Sequence, residues 1–205
     1  MQITFYAAPH SSAIPVASAL AELEVPHRRI DLDLAKGEQR RPDFLALNPN
    51  GKVPTLVVDG TPMFEALAIM QWLGDRFGVA RGRWPAADAP ERLAALSWST
   101  WTYVSYSSVV MRLYIASAAS VPAELRSTAA EEHARGELRQ LLDVLDGRLG
   151  SSPYLLGSDF TLVDLIVSLG VMWSQLVGVV TKEHSHVEAW VNRCRTRPSI
   201  QSEWP

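Results

Sequence analysis

One cysteine, Cys194, is all that the 205 residues contain. That excludes an internal disulfide and a cysteine-based zinc site. An excess of positive charge is also missing: Lys and Arg total 19 against 22 Asp and Glu, a formal net charge of −3. Without a broad basic surface to displace counterions, neither a nucleic acid nor an acidic membrane is an expected partner. Basic clusters such as Arg40-Arg41 and Arg193 to Arg197 are short and read as solvated surface. No uninterrupted apolar run reaches the ~18 residues of a membrane-spanning helix. The opening Met1-Gln2-Ile3-Thr4-Phe5 has no basic segment leading into an apolar stretch, so the expected location is the cytoplasm. Internal repeats and low-complexity tracts are absent. What remains is an ordinary globular composition, 47% hydrophobic and 20% charged, in a length that suits one or two compact domains.

Periodicity divides the chain into two kinds of structure. Gln2 to Ala7 reads as a strand and Ala13 to Glu24 as a helix with Val16, Leu20 and Leu23 on its apolar side. Arg29 to Leu34 reads as an alternating strand with Ile30, Leu32 and Leu34 on one face. Strand, helix, strand at this spacing implies a parallel pair joined by a right-handed crossover. Pro42 to Leu47 suits a short helix. Residues 79–90, with Gly82, Pro85 and Pro90 among small residues, read as a linker. Beyond it the pattern is helical, with one long helix from Leu93 to Ala116 and another from Glu124 to Leu149. Gly157-Ser158-Asp159-Phe160-Thr161-Leu162-Val163-Asp164 carries a capping box in which Thr161 caps the following helix and Asp164 reaches back. Phe160 and Leu165 fall at the positions of a hydrophobic staple, so Thr161 and Asp164 are structural.

Residues 48–78 carry the most information. Asn48-Pro49-Asn50-Gly51 is a run of turn formers, and Thr55 to Val58 is rich in β-branched residues. Asp59-Gly60 suits a two-residue hairpin turn, and a second extended run ends at Phe64. Pro62 cannot donate a ladder hydrogen bond, which places its strand at a sheet edge. From Ala66 the residues Leu67, Ile69, Met70, Leu73 and Phe77 approximate one helical face ending near Gly78. Glu65 stands at the helix N-terminus, where unpaired N–H groups and the positive end of the dipole attract a carboxylate. Together with the first three elements this gives βαβ-ββα, the order of a thioredoxin-like domain.

The segment resembles the glutathione S-transferase family, whose N-terminal domain carries a pattern like Asn-Pro-x-Gly-x-Val-Pro, a hairpin, and then Glu-Ser at a helix start. The resemblance implies an α/β thioredoxin-like domain (residues 1–78), a linker (79–90) and an all-helical bundle domain (91–205). It implies a cis peptide at Val53-Pro54, with the Val53 main chain pairing to the cysteinyl part of glutathione. Glu65 takes the place of the acid that binds the γ-glutamyl ammonium. Ala66 departs from the family's common serine, which implies weaker anchoring of the γ-glutamyl carboxylate through a backbone N–H alone. Lys36 resembles a lysine that reaches glutathione in some bacterial members, while Lys52 or Gln39 can pair with the glycyl carboxylate instead. Glutathione enters as a co-substrate, with no metal, and the partner is a small hydrophobic electrophile. A homodimer is implied as well.

Glutathione transfer needs a thiolate, and a free thiol titrates near ~8.5. Lowering that by two units takes roughly 2.7 kcal/mol, within reach of a hydroxyl donor and a helix N-terminus. The turn after the first strand reads Tyr6-Ala7-Ala8-Pro9-His10-Ser11-Ser12-Ala13. Ser11 and Ser12 are the candidate donors, each with helix capping as its simpler role. Tyr6 is the alternative catalytic residue, with a pocket-wall role as its rival. With no cysteine in this turn, a glutaredoxin-like or cysteine-type mechanism, which needs a local thiolate, is excluded. Cys194 reads as a small helix residue. His10, Trp101 and Tyr106 are expected to line an apolar electrophile pocket, among the aromatics Trp98, Tyr103, Tyr114 and Trp173. His184 and His186 form a His-x-His pair that lacks a third metal ligand. Two further functions fit the same residues: a non-catalytic glutathione-binding or interaction module, and a glutathione-dependent isomerase or dehalogenase.

Overall fold

The structure is a computed structural model that describes residues 1–204. It divides into two compact units, the first made of Met1–Ala87 together with Arg197–Pro205 and the second of Asp88–Thr196.

In the first unit, β1 (Ile3–Ala7) is followed by α1 (Ile14–Glu22), β2 (Arg28–Asp31), the short α2 (Pro42–Leu45), β3 (Thr55–Val58), β4 (Thr61–Phe64) and α3 (Ala66–Leu73). The sheet order is β2-β1-β3-β4. β1 and β2 run parallel, and the other neighbours run antiparallel. The crossover helix and the Asp-Gly hairpin thus take the places that the sequence pattern assigns them. Asp59 (φ 47°) and Gly60 (φ 85°) are both left-handed, as a two-residue turn that follows the strand twist requires. Pro62 lies in β4 at the sheet edge.

Strand alternation sorts the side chains of β1. Ile3, Phe5 and Ala7 are buried, while the Tyr6 ring, on the opposite face, meets Phe44 of α2 edge-on at 5.5 Å. α1 and α3 pack against each other, bringing Val16, Leu20, Ile69 and Met70 into the core. Each fully buried aliphatic or aromatic side chain there contributes roughly 1.5–3 kcal/mol.

Three local outcomes depart from the sequence pattern. β2 ends at Asp31 rather than Leu34, because the Asp33 carboxylate accepts the N–H groups of Ala35 and Lys36, both at 3.1 Å, and turns the chain. The helical path after Leu73 does not stop at Gly78. It widens into a π turn over Gly74–Gly78 and continues as a 3-10 turn over Val79–Arg81. Trp84, inside the stretch that reads as a linker, is buried. It sits on Gly74 and Gly78, where an added Cβ would come within 2.6 and 2.9 Å of it, and its Nε1 donates to Asp75 at 2.8 Å.

The C-terminal α9 (Pro198–Gln201) packs against α1 within the same unit. Glu22, at the end of α1, receives Arg83 at 3.0 Å, Ser199 at 2.7 Å and the Arg197 guanidinium.

The second unit is helical: α4 (Arg92–Trp101), α5 (Ser107–Ser117), α6 (Thr128–Leu149), α7 (Leu162–Leu176) and α8 (Ser185–Arg195). α4 and α5 are one helical run interrupted by a π turn at Thr102–Tyr106. α6 begins at Thr128, later than the pattern suggests. Ser127 caps it by accepting the Ala130 N–H, and Ala123–Leu125 forms a separate 3-10 turn.

The capping box at α7 is formed. Thr161 accepts the Val163 N–H, and the buried Asp164 accepts the Thr161 N–H at 2.9 Å. Asp164 also takes the N–H of Leu155 at 2.8 Å and the Trp190 indole at 3.0 Å, so one carboxyl ties a loop, α7 and α8 together. Burial raises its pKa, and these three donors, with the Thr161 hydroxyl at 2.9 Å as a fourth, act against that. Phe160 and Leu165, the staple pair, are both buried.

Candidate active site

Sheet register defines the site. Tyr6 pairs with Thr55, and Thr55 pairs with Phe64. One residue beyond this row, at the same end of the sheet, lie Ala7 after Tyr6, Pro54 before Thr55 and Glu65 after Phe64. The turn after β1, the Val53-Pro54 bond and the start of α3 therefore share one end of the sheet. Val53-Pro54 is cis, in agreement with what the resemblance implies.

The two serines in the first turn have separate partners. Ser11 Oγ donates to the Ala8 carbonyl at 2.6 Å and accepts the Ala13 N–H at 3.2 Å, which closes the turn locally. Ser12 Oγ instead donates to the Val53 carbonyl at 2.8 Å, across 41 residues of sequence. Ser12 is exposed and Ser11 half-buried. Tyr6 projects from β1 against Phe44.

The loop that carries Val53 is organised by Asn48, which is buried. Its amide donates to the Lys52 carbonyl at 2.8 Å and to Thr55 Oγ1 at 3.1 Å, and its oxygen accepts the Asn50 N–H at 3.1 Å. Gly51 adopts φ 59°, with Arg40 and the Gln39 carbonyl 3.0 Å from where a Cβ would stand. Turn formers show in the sequence at these positions. The role of the Asn48 side chain in shaping the loop does not.

Glu65 is exposed and has φ 73°. A non-glycine residue there costs about 1–3 kcal/mol, a strain that concentrates at ligand sites. Its carbonyl accepts the Ile69 N–H at 3.0 Å, while no capping side chain occupies the first N–H groups of α3. Ala66, the first residue of α3, is buried.

Of the lysines, Lys36 is exposed and paired with Asp33 at 2.9 Å, an interaction that lowers the Asp33 pKa. Lys52 is exposed and follows Gly51 directly. Gln39 donates weakly to the Leu34 carbonyl at 3.4 Å, and its side-chain oxygen is buried without a protein partner.

The residues assigned to an apolar pocket are placed in different surroundings. His10 is exposed at φ 52° and lines a cavity of about 440 Å³ with Pro9, Ile14, Arg29 and Trp204. Trp101 is half-buried and stacks on Tyr106 at 5.3 Å. Tyr106 is fully buried and its hydroxyl meets Ser174 Oγ at 2.7 Å. Burial pushes that phenol up to about 12. His184 and His186 each meet a carboxylate, Asp143 at 3.0 Å and Asp146 at 2.9 Å. Among the described residues no group of three or more His, Cys, Asp or Glu is placed to hold a metal, and no helix is long and apolar enough to cross a membrane.

A thioredoxin-like sheet with a cis-proline turn, followed by a helical unit, defines the glutathione-transferase class of fold. Residues 12–76 match the glutathione S-transferase N-terminal domain, and residues 109–198 match the C-terminal domain. A glutathione S-transferase of Silene vulgaris is 30% identical over 207 residues, spanning 97% of this chain and 95% of the relative. The disulfide-bond oxidoreductase YfcG of Escherichia coli (strain K12) is 29% identical over 208 residues, 96% of this chain and 92% of its own. Among solved structures, the theta class glutathione S-transferase from the citrus canker pathogen Xanthomonas axonopodis pv. citri, with glutathione bound, has a TM-score of 0.83 at 28% identity. That match covers 98% of this chain and 96% of the other. The chain belongs to the glutathione S-transferase family of enzymes.

Proposed function

We propose that this protein binds glutathione at the sheet end formed by Ser12, Val53, Pro54, Glu65 and Ala66, and conjugates it to small apolar electrophiles, as a cytoplasmic homodimer. The observation that carries the reading is the Ser12 hydroxyl on the Val53 carbonyl at 2.8 Å. The cysteinyl main chain pairs with Val53 in the manner of an added strand. Its N–H then takes over the Val53 carbonyl and frees the single Ser12 proton for the sulfur. Ser11 spends its proton inside its own turn, and the Tyr6 ring is engaged with Phe44, so Ser12 is favoured as the donor over both.

Glu65 takes the γ-glutamyl ammonium, and the open N–H groups at the start of α3 take the α-carboxylate. Lys52, with Gln39 and Lys36 as alternatives, meets the glycyl end. Transfer then needs only the stabilised thiolate and an electrophile held close to it. His10, in the same turn as Ser12, is the residue of this unit taken to meet the electrophile.

Reductive chemistry is a second reading, supported by the similarity to an enzyme named as a disulfide-bond oxidoreductase. Without a cysteine in the turn, two glutathione thiols would supply both electrons and both protons to the disulfide and leave as glutathione disulfide.

Calorimetric titration with glutathione, followed by turnover on a panel of aryl halides, enones and a small disulfide, tests the proposal. Micromolar to millimolar binding with turnover on aryl halides or enones supports it. Turnover on the disulfide alone selects the second reading, and binding without any turnover overturns both.

A further inference from the structure

Two successive carbonyls of the loop before β3 are held by donors of different kinds. The Lys52 carbonyl accepts the Asn48 amide at 2.8 Å and the Thr55 hydroxyl at 3.2 Å, and both donor residues are buried. The Val53 carbonyl accepts Ser12 Oγ at 2.8 Å, and Ser12 is exposed. The first carbonyl is thus fixed from inside the protein. The second is covered by a surface hydroxyl that a bound molecule can turn aside.

A hydroxyl has one proton to donate, so Ser12 cannot serve the Val53 carbonyl and a sulfur at once. Val53 is 6% exposed. Once a ligand lies over its carbonyl and excludes water, leaving that acceptor without a donor is costly. Turning Ser12 to a sulfur is therefore favourable when the incoming molecule brings a donor of its own to Val53. In a cysteinyl residue that donor is the N–H, two carbons from the sulfur.

We infer that the Ser12–Val53 hydrogen bond is a substrate-released latch, which gives Ser12 to thiols that carry an amide N–H two carbons from sulfur and withholds it from thiols without one. Ser12 keeps its proton throughout. The hydrogen bond passes from the carbonyl oxygen to the sulfur, and the incoming N–H takes the place it leaves. The latch presupposes the proposed glutathione site and goes beyond it in defining which feature of a thiol that site reads.

Removal of Ser12 then has an unusual effect on a ligand without sulfur. γ-Glutamyl-2-aminobutyryl-glycine, which is glutathione with a methyl in place of the thiol, must break the Ser12–Val53 bond and offers Ser12 no sulfur in return. Ser12→Ala should bind it roughly two- to tenfold more tightly than the wild type, the equivalent of one hydrogen bond. Calorimetry on the full chain reads the difference. Ser12→Thr, which keeps a hydroxyl, should bind it as the wild type does. The ester counterpart of the analogue, with oxygen in place of the central N–H, leaves the carbonyl to Ser12 and should bind wild type and Ser12→Ala alike. That comparison separates the exchange of donors from relief of crowding by a smaller side chain. Equal or weaker binding of the analogue to Ser12→Ala, or the same gain with the ester, overturns the latch and leaves the glutathione site standing. Failure of both the analogue and glutathione to bind the wild type overturns the site, and the latch with it.

Discussion

Replacing Ser12 by alanine should raise the thiol pKa of bound glutathione without much changing how tightly the peptide is held. The Ser12 Oγ lies 2.8 Å from the Val53 carbonyl and donates its one proton there; in the proposed complex that proton turns to the sulfur. A hydrogen bond to a charged acceptor contributes about 1.5–3 kcal/mol, or about one to two pKa units on the thiol. Conjugation at neutral pH should therefore fall about 10- to 100-fold in kcat/KM. The deficit should close above the free-thiol value of ~8.5, where the thiol ionises without help. Ser11→Ala removes only the bonds to Ala8 and Ala13, so it should cost about 0.5–1.5 kcal/mol of stability per bond and leave the thiol where it was. Ultraviolet absorbance of the bound thiolate, titrated in both variants beside Tyr6→Phe, separates the three. An unchanged thiol pKa in Ser12→Ala, with a raised one in Ser11→Ala or Tyr6→Phe, would refute the reasoning.

Ala66→Ser restores a hydroxyl beside the open N–H groups of α3 and should tighten glutathione binding roughly two- to tenfold, for a gain of about 0.5–1.5 kcal/mol. No gain in calorimetry would mean that the γ-glutamyl end lies elsewhere. Asp146→Ala tests a cap donated by one helix to another, since Asp146 of α6 accepts the N–H groups of His186 at 2.9 Å and Val187 at 3.0 Å at the start of α8. Burial alone would raise the Asp146 pKa, but those N–H groups and the His186 ring outweigh it and hold the carboxyl below its ordinary value. Its stabilising contribution is thus present above the unfolded value of ~3.9 and is lost as pH falls through the lower folded value. Urea unfolding should show the variant about 1 kcal/mol less stable at pH 7, with the gap narrowing in acid; a gap independent of pH contradicts this account.

What could be read from the sequence was whatever a few neighbouring residues decide. The Asp59-Gly60 turn, the edge position forced by Pro62 and the capping box of Thr161 with Asp164 each follow from chemistry within about four residues, and each is present. β2 is shorter than its alternation suggests because the Asp33 side chain competes for the backbone, which a period-two pattern cannot register. Trp84 looks like part of a linker because its seat is a notch made by two glycines, visible only once the π turn brings Gly74 and Gly78 beneath it. Ser11 and Ser12 are equivalent in sequence, both following one proline in one turn. What distinguishes them is a carbonyl 41 residues away, carried on the loop that Asn48 shapes.

Glu22 gathers Arg83, Arg197 and Ser199 on one carboxylate that is almost wholly buried, and two of those three partners lie 175 and 177 residues further along the chain. The sheet, the cis-proline turn and both serines all precede residue 65, yet the buried acid at the end of α1 has at most one of its arginines until the segment that carries α9 has been made. A chain without α9 leaves the buried Glu22 short of Arg197 and Ser199, and is the form expected to open most readily to proteolysis.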